Sequence, residues 1–238
     1  MAEKIEKGRE FLAGMRAGIP IVLGYIPVAV AYAVMARQAG FTAAETAAMS
    51  VAVYAGASQM MATEMYAQGA GISVIILAAL IMNLRHVVMS TCVVSRLQKT
   101  RPAMRLLLAF GVTDETFALF TAGAAGEGSA YYFWGLITAA YASWIAGSVL
   151  GAVVSGALPA LLSASLGIAL YALFIGLLVP NLRGNGRLGL LVAVTAAVSA
   201  VLSRFLPSGW SMIVSTLVCA AGGALITEKT AKEETEHE

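Results

Sequence analysis

Long apolar runs separated by short polar connections dominate this chain and limit the folds open to it. A helix that crosses the hydrocarbon core of a bilayer needs about 20 predominantly apolar residues. Eight runs approach that length, at residues 17–35, 43–66, 72–91, 103–122, 131–154, 161–180, 188–205 and 209–226. We therefore expect an all-α integral membrane protein with seven or eight hydrophobic segments.

The composition agrees with a lipid bilayer as the solvent. Of the 238 residues, 59% are hydrophobic and 12% are charged, whereas soluble domains carry about 25% charged residues. The net charge of +2 gives no reason to expect nucleic-acid binding. The two cysteines lie in or beside apolar segments, which indicates neither a disulfide framework nor a metal site. We expect no cofactor.

Positive charge predicts the orientation, because cytoplasmic loops of membrane proteins are enriched in Lys and Arg. The basic residues cluster in the N-terminal segment 1–16, in the connection 96–105 and in the connection 183–187. Eight full crossings would place the most basic loop outside. If the second and sixth segments are instead broken or re-entrant, all three clusters and both termini face the cytoplasm, including the polar tail 228–238.

This arrangement makes the two halves of a single transmembrane domain, residues 17–227, inverted copies of each other. The halves would cover about 17–125 and 131–227. A short echo supports the idea, since Ser-Val-Ala-Val-Tyr-Ala at 50–55 resembles Gly-Ile-Ala-Leu-Tyr-Ala at 167–172. Inverted repeats with interrupted helices recur in transporters. The alternative is seven or eight ordinary helices with an imperfect charge bias.

Polar residues at membrane depth are costly and are therefore candidates for function. The second segment contains Tyr54-Ala-Gly-Ala-Ser-Gln59. Gly56 permits unusual backbone geometry, and a break here would expose backbone groups beside Ser58 and Gln59, as an amino-acid head group requires. The alternative is a packing glycine with both side chains bonded to neighbouring helices. Glu64, further along, is a weaker candidate near the interface.

Asn83 and His86 lie three residues apart in the third segment and share a helix face. His86 could carry a proton near neutral pH, and Asn83 could contact substrate. Arg85 points elsewhere on the helix, and we expect its side chain to reach for the cytoplasmic surface.

The fourth segment contains adjacent carboxylates, Asp114 and Glu115. In an apolar run they must be protonated, paired or hydrated. Helical geometry predicts that Asp114 lies near His86. Asp114 is the best candidate for the residue that carries a coupling proton, and Glu115 is a further candidate. A Glu at a helix start near an interface is the alternative.

The sequence has no nucleophile elbow, zinc-ligand spacing or phosphate-binding glycine loop. We therefore expect a transporter rather than an enzyme, driven by an ion gradient or by diffusion. Alternating access would bind the substrate head group at Tyr54, Gly56, Ser58, Gln59 and Asn83. Met60 and Phe117 could receive its apolar side chain.

Several of these motifs together resemble the AzlC-type branched-chain amino-acid permeases. The resemblance rests on Gly24-Tyr-Ile-Pro27, the motif at 54–59, Asn83-Leu-Arg-His86 and Thr113-Asp-Glu-Thr-Phe-Ala-Leu119. Trp144, Leu158-Pro159 and the run 169–180 extend it over about residues 14–224.

The resemblance implies a large subunit of a bacterial inner-membrane exporter of valine, leucine, isoleucine and sometimes methionine. It also implies a small membrane partner subunit of the AzlD type. The rival interpretations are a channel-like pore and an accessory membrane subunit without transport of its own.

The topology generates a first prediction. A single cysteine at Gln98, in a chain lacking Cys92 and Cys219, should resist membrane-impermeant thiol reagents in intact cells, because positive charge keeps its loop in the cytoplasm. Labelling after the cells are permeabilised is the control. Ready labelling from outside would overturn the assigned orientation.

Overall fold

The computed structural model describes residues 2–97, 100–122, 129–157 and 186–206, together with scattered positions at 175, 179, 182, 210, 214–215, 217–219 and 221–222. Within these parts every regular element is helical, which confirms the all-α membrane fold. The helices are α1 Ala2–Ala17, α2 Ile19–Gln38, α3 Ala43–Ala52, α4 Gly56–Ala67, α5 Ile72–Arg96, α6 Pro102–Phe110, α7 Asp114–Ala122, α8 Ala130–Val154 and α9 Gly186–Leu202.

Three of the described helices are long and apolar enough to cross a bilayer. They are α2, α5 and α8, the last counted with its short 3-10 extension to Ala157. The N-terminal segment is also helical, since α1 leads into α2 through Gly18 with backbone hydrogen bonds on both sides. Residues 158–174, which include most of the predicted sixth segment and the echo at 167–172, lie outside the described residues.

Helices α2 and α8 pack closely because glycines on α8 let the two backbones meet. A Cβ built on Gly147 would lie 2.8 Å from the Ile26 carbonyl oxygen, and one on Gly151 would lie 2.7 Å from that of Val30. Small residues commonly permit such contact between membrane helices. Residue numbers rise together along both helices, so α2 and α8 run parallel. We call the side where α1 and α8 begin the N-terminal face.

Helix α5 runs the opposite way. Near its beginning, Ala78 packs against Met61 and Met65 of α4. At its end, Val93 and Leu97 join a buried cluster that contains Phe133, near the beginning of α8. Helix α5 therefore crosses from the opposite face to the N-terminal face.

The second apolar segment is broken, as predicted, into α3 and α4 with an interruption at residues 53–55. The two helices are about 15 and 18 Å long, roughly half the thickness of the hydrocarbon core. Phe41, before α3, and Tyr66, near the end of α4, stack with ring centroids 4.9 Å apart. Both ends therefore lie at the face where α2 ends, and α3–α4 is a re-entrant hairpin, the first hairpin.

A capping box fixes the start of the first hairpin. The Thr42 hydroxyl accepts from the Glu45 backbone N–H, while the Glu45 carboxylate accepts from the Thr42 backbone N–H and hydroxyl. These hydrogen bonds from Thr42 hold the pKa of the exposed Glu45 carboxyl below its usual value. The motif marks where the chain turns back into the membrane.

The fourth apolar segment is also broken, which the sequence analysis did not predict. Helices α6 and α7 are each about 14 Å long and are separated by residues 111–113. Gly111 lies against Ile137 inside the bundle, whereas Phe120 stacks on Phe133 with ring centroids 4.6 Å apart. The chain thus returns to the N-terminal face that it left, and α6–α7 is the second hairpin. Counting apolar residues over the whole segment does not show a three-residue interruption inside it.

The described residues contain two units of inverted orientation, but these units are not the two halves that the sequence predicted. Helix α2 with the first hairpin and helix α5 with the second hairpin run in opposite directions and enter from opposite faces. An inverted repeat starting at residue 131 would require α8 to oppose α2, whereas the two are parallel. Because much of the second half lies outside the described residues, the halves 17–125 and 131–227 stay a prediction.

The parallel packing generates a second prediction. A cysteine at Gly156, which is exposed just beyond α8 and where a built Cβ meets nothing within 4 Å, should react with impermeant reagents from outside intact cells. The cysteine at Gln98 is the matched control, and it should stay protected. Protection of both positions would contradict the direction of α8.

Candidate functional site

The tips of the two hairpins meet at mid-membrane around an aromatic cluster. Tyr54 at the first tip, Phe110 at the second and Tyr141 of α8 are in mutual contact, with ring centroids 4.7 to 6.1 Å apart. Tyr54 has a φ of 43°, a conformation that costs a residue with a side chain about 1–3 kcal/mol. Such strain marks the break between α3 and α4 as a position maintained by its surroundings.

A buried chain of hydrogen bonds ties the first hairpin to α8. The Gln59 side-chain oxygen accepts from the Trp144 indole N–H at 3.0 Å, and its amide nitrogen donates to the Ser50 hydroxyl at 3.1 Å. Ser50 donates in turn to Ser148 at 2.7 Å. Gln59 is completely buried. Both ends of the amide are therefore engaged by protein, which favours a positioning role over the predicted contact with substrate.

The other predicted residues of the first tip connect it to its neighbours. The Asn83 amide of α5 donates to the Ser58 hydroxyl at 3.0 Å, and Ser58 donates to the Ala55 carbonyl. A Cβ on Gly56 would lie 2.5 Å from the Trp144 ring. Gly56 is thus required for close packing, and it starts α4 without a side-chain cap.

The second tip is held by hydroxyl groups. Tyr25 of α2 donates to the Glu115 carboxylate at 2.6 Å and lies 2.8 Å from the Thr113 hydroxyl. The Thr116 hydroxyl accepts from the Thr113 backbone N–H and so satisfies a donor that the break exposes. The Tyr54 hydroxyl is buried without a hydrogen-bond partner among the described residues.

An ion pair joins α5 to the second tip. Arg85 and Asp114 approach to 3.0 Å, and their side chains are 47% and 40% exposed. Arg85 lies about 16 Å along the helix axis from Arg96 at the N-terminal face. That depth is too great for its side chain to reach the surface. Arg85, which was expected to reach for the cytoplasmic surface, is instead the α5 residue that forms an ion pair with Asp114. Its depth in the sequence was the signal for this pairing.

The side chains of the remaining candidates form no hydrogen bond with the residues of the two tips in the described part of the chain. His86 lines a groove on α5 with Ser90 and Val94. Phe117 packs against the buried cluster at the N-terminal face. Met60 is fully buried beside Trp144. Glu64 is exposed near the end of α4, before the connection to α5. No cluster of side chains suited to a metal ion occurs among the described residues.

Half-length helices that enter from opposite faces and leave charged residues at mid-membrane define a membrane protein of the transport class. The chain belongs to the AzlC family, because the model of that family, described as AzlC protein, matches residues 20–158. This is a family of membrane transport proteins rather than of enzymes.

Relatives agree with this assignment. The inner membrane protein YgaZ of Escherichia coli (strain K12) is 34% identical over 91% of this chain and 90% of its own. An uncharacterized membrane protein of Archaeoglobus fulgidus is 34% identical over 76% of this chain and 80% of its own. The branched-chain amino acid transport protein AzlC of Bacillus subtilis (strain 168) is 25% identical over 57% and 54%. No solved structure shows significant similarity.

The contact between Gly56 and Trp144 generates a third prediction. Gly56→Ala should destabilise the protein by about 1–3 kcal/mol, because the added methyl group must displace a packed indole ring and with it the bond to Gln59. Thermal unfolding in detergent measures the loss. Gly24→Ala is the matched control, since a Cβ there meets nothing within 4 Å. Equal stability of the two variants would contradict the packing described.

Proposed function

We propose that this protein is the large subunit of an exporter of hydrophobic amino acids, in particular valine, leucine and isoleucine, with methionine as a further substrate. The observation that carries the proposal is the meeting of two broken hairpins around charged residues at mid-membrane. The name of the Bacillus subtilis relative, branched-chain amino acid transport protein AzlC, supports the substrate class. The basic connection 96–105 supports a cytoplasmic N-terminal face in the inner membrane.

Alternating access follows from hairpins that enter from opposite faces, because each can close the path on its own side. The first hairpin is bound to α8 through two buried hydrogen bonds, from Ser50 to Ser148 and from Trp144 to Gln59, and through an exposed one from the Tyr141 hydroxyl to the Val51 carbonyl. The second is bound through the half-exposed pair of Arg85 and Asp114 and through Glu115. Contacts of the second kind exchange with water or substrate more readily, so the second hairpin is the moving element. Tyr54, Gly56, Ser58 and Asn83 line the fixed side.

We place the coupling proton on Glu115. The negative charge of Asp114 is balanced by Arg85, whereas Glu115 accepts a hydrogen bond from the neutral hydroxyl of Tyr25. Glu115 therefore has no ion-pair partner among the described residues, and an unpaired charge at this depth is costly. Of the other predicted proton carriers, Asp114 is paired with Arg85, whereas His86, the neighbour of Arg85 on α5, forms no ion pair or hydrogen bond among the described residues and stays an alternative.

A small AzlD-type membrane subunit is the proposed partner, and transport is best tested with it present. In liposomes that contain both subunits, a pH gradient should drive saturable leucine efflux. Linear ion flux would instead indicate a channel. Absence of any flux, with both subunits folded, would indicate an accessory role.

The same assay generates a fourth prediction. Glu115→Gln preserves size and hydrogen bonding but cannot titrate, so it should abolish pH-driven leucine efflux. It should leave exchange of leucine for leucine largely intact, because exchange does not require the carrier to return without substrate. Glu64→Gln, at an exposed carboxylate of α4, is the matched control. Driven efflux at the wild-type rate would exclude Glu115 as the coupling residue.

A further inference from the structure

We propose that Arg85 and Asp114 form a clamp for the zwitterionic head group of an α-amino acid, in which the substrate separates their mutual ion pair. Arg85 would bind the substrate carboxylate, and Asp114 would bind its ammonium group. This inference rests on the proposed amino-acid transport and names the two groups that recognise the part shared by all such substrates.

The position of the pair suits a binding site. Arg85 lies near the middle of α5, and Asp114 is the first residue of α7, directly after the break at the second tip. Their side chains remain 47% and 40% exposed at this depth. A pair that served only to join two helices would be expected to be enclosed by them. Two charges that remain exposed at mid-membrane need water or a polar partner beside them, because lipid offers them none.

The geometry of the contact leaves capacity for a ligand. One guanidinium nitrogen of Arg85 and one carboxylate oxygen of Asp114 make the 3.0 Å contact. A guanidinium group can bind a carboxylate through two parallel hydrogen bonds, and an aspartate has a second oxygen. An α-amino acid carries both opposite charges on one carbon, so it can offer each partner a replacement at short range.

Charge balance also favours a zwitterion. Exchange of one ion pair for two leaves the net charge at mid-membrane unchanged. A substrate with only one charge would instead leave Arg85 or Asp114 without its counter-charge, and an unpaired charge at this depth is strongly disfavoured. The clamp would therefore reject amines and carboxylic acids that share the same apolar side chain. Glu115 remains outside the exchange, bound to Tyr25.

The test compares three ligands with one apolar side chain. Binding to the purified full-length protein in detergent is measured by competition with radiolabelled leucine. For the variants, the binding of each ligand is measured directly. The competitors are leucine, 4-methylpentanoate, which lacks the amine, and 3-methylbutylamine, which lacks the carboxylate. Wild-type protein should bind leucine roughly tenfold to hundredfold more tightly than either analogue, the range expected for one charge-assisted contact.

Two substitutions should then change the selectivity in opposite directions. Arg85→Gln leaves Asp114 uncompensated, so the amine should bind more tightly than leucine. Asp114→Asn leaves Arg85 uncompensated, so 4-methylpentanoate should bind more tightly than leucine. A purely structural role would weaken all three ligands together. Glu64→Gln is the control and should keep the wild-type order.

The outcomes separate the two proposals. If wild-type protein binds none of the hydrophobic amino acids, the proposed substrate class is wrong. If it binds leucine but both variants keep the wild-type order of ligands, the clamp is wrong while the transport proposal stands. Should either single variant fail to fold, the exchanged pair Arg85→Asp with Asp114→Arg restores neutrality. The clamp is supported if that double variant binds leucine and still binds both analogues at least tenfold more weakly. It is contradicted if the double variant binds leucine and the two analogues with equal affinity.

Discussion

A polypeptide backbone that is interrupted inside a membrane must have its free polar groups satisfied by protein, because lipid offers no partners. Within the described residues the chain interrupts its backbone at residues 53–55 and at residues 111–113. The second interruption is satisfied largely by its own threonines, since Thr116 bonds to the Thr113 backbone and to the Gly111 carbonyl. Both breaks are surrounded by α2, α5 and α8, and the fold is in effect the enclosure that makes them possible.

Close packing of α2 on α8 is what provides this enclosure. Glycines at the contact bring the backbones together, and the parallel direction places Trp144 of α8 beside Tyr25 and Tyr32 of α2. From there the Trp144 indole reaches Gln59. A single indole thus packs against α2, donates to α4 and leaves no room for a side chain at Gly56. The strained Tyr54 is held in place by these same neighbours.

The sequence predicted the elements whose physical signal is local. Apolar length identified α2, α5 and α8, and the polar residues around Gly56 identified the break in the second segment. The break in the fourth segment was missed, because Thr113, Asp114 and Glu115 were interpreted as costly residues within a helix rather than as a helix beginning. Acidic residues in a first turn are favourable, so the same residues supported the interpretation that proved correct.

Partners within the site were harder to predict, because they depend on which helices become neighbours. Helical spacing places Asn83 and His86 on one face, yet the structure pairs Asn83 with Ser58, whereas His86 forms no hydrogen bond among the described residues and lines a groove with Ser90 and Val94. Gln59 looked available only because its partners, Trp144 and Ser50, lie on other helices. The predicted roles in substrate binding and coupling therefore stay predictions.

The two hairpins share a shape but differ in chemistry, and that difference is what a carrier needs. At the first tip the bonds among Gln59, Ser50, Ser148 and Trp144 are neutral and buried, so breaking them would leave unsatisfied groups at about 1–3 kcal/mol each. At the second tip the ion pair of Arg85 and Asp114 is half exposed, so a partner that carries both charges can replace that contact at little cost. With one rigid tip and one tip whose ion pair can be replaced, binding of the solute changes the contacts at the second tip and leaves those at the first tip unchanged.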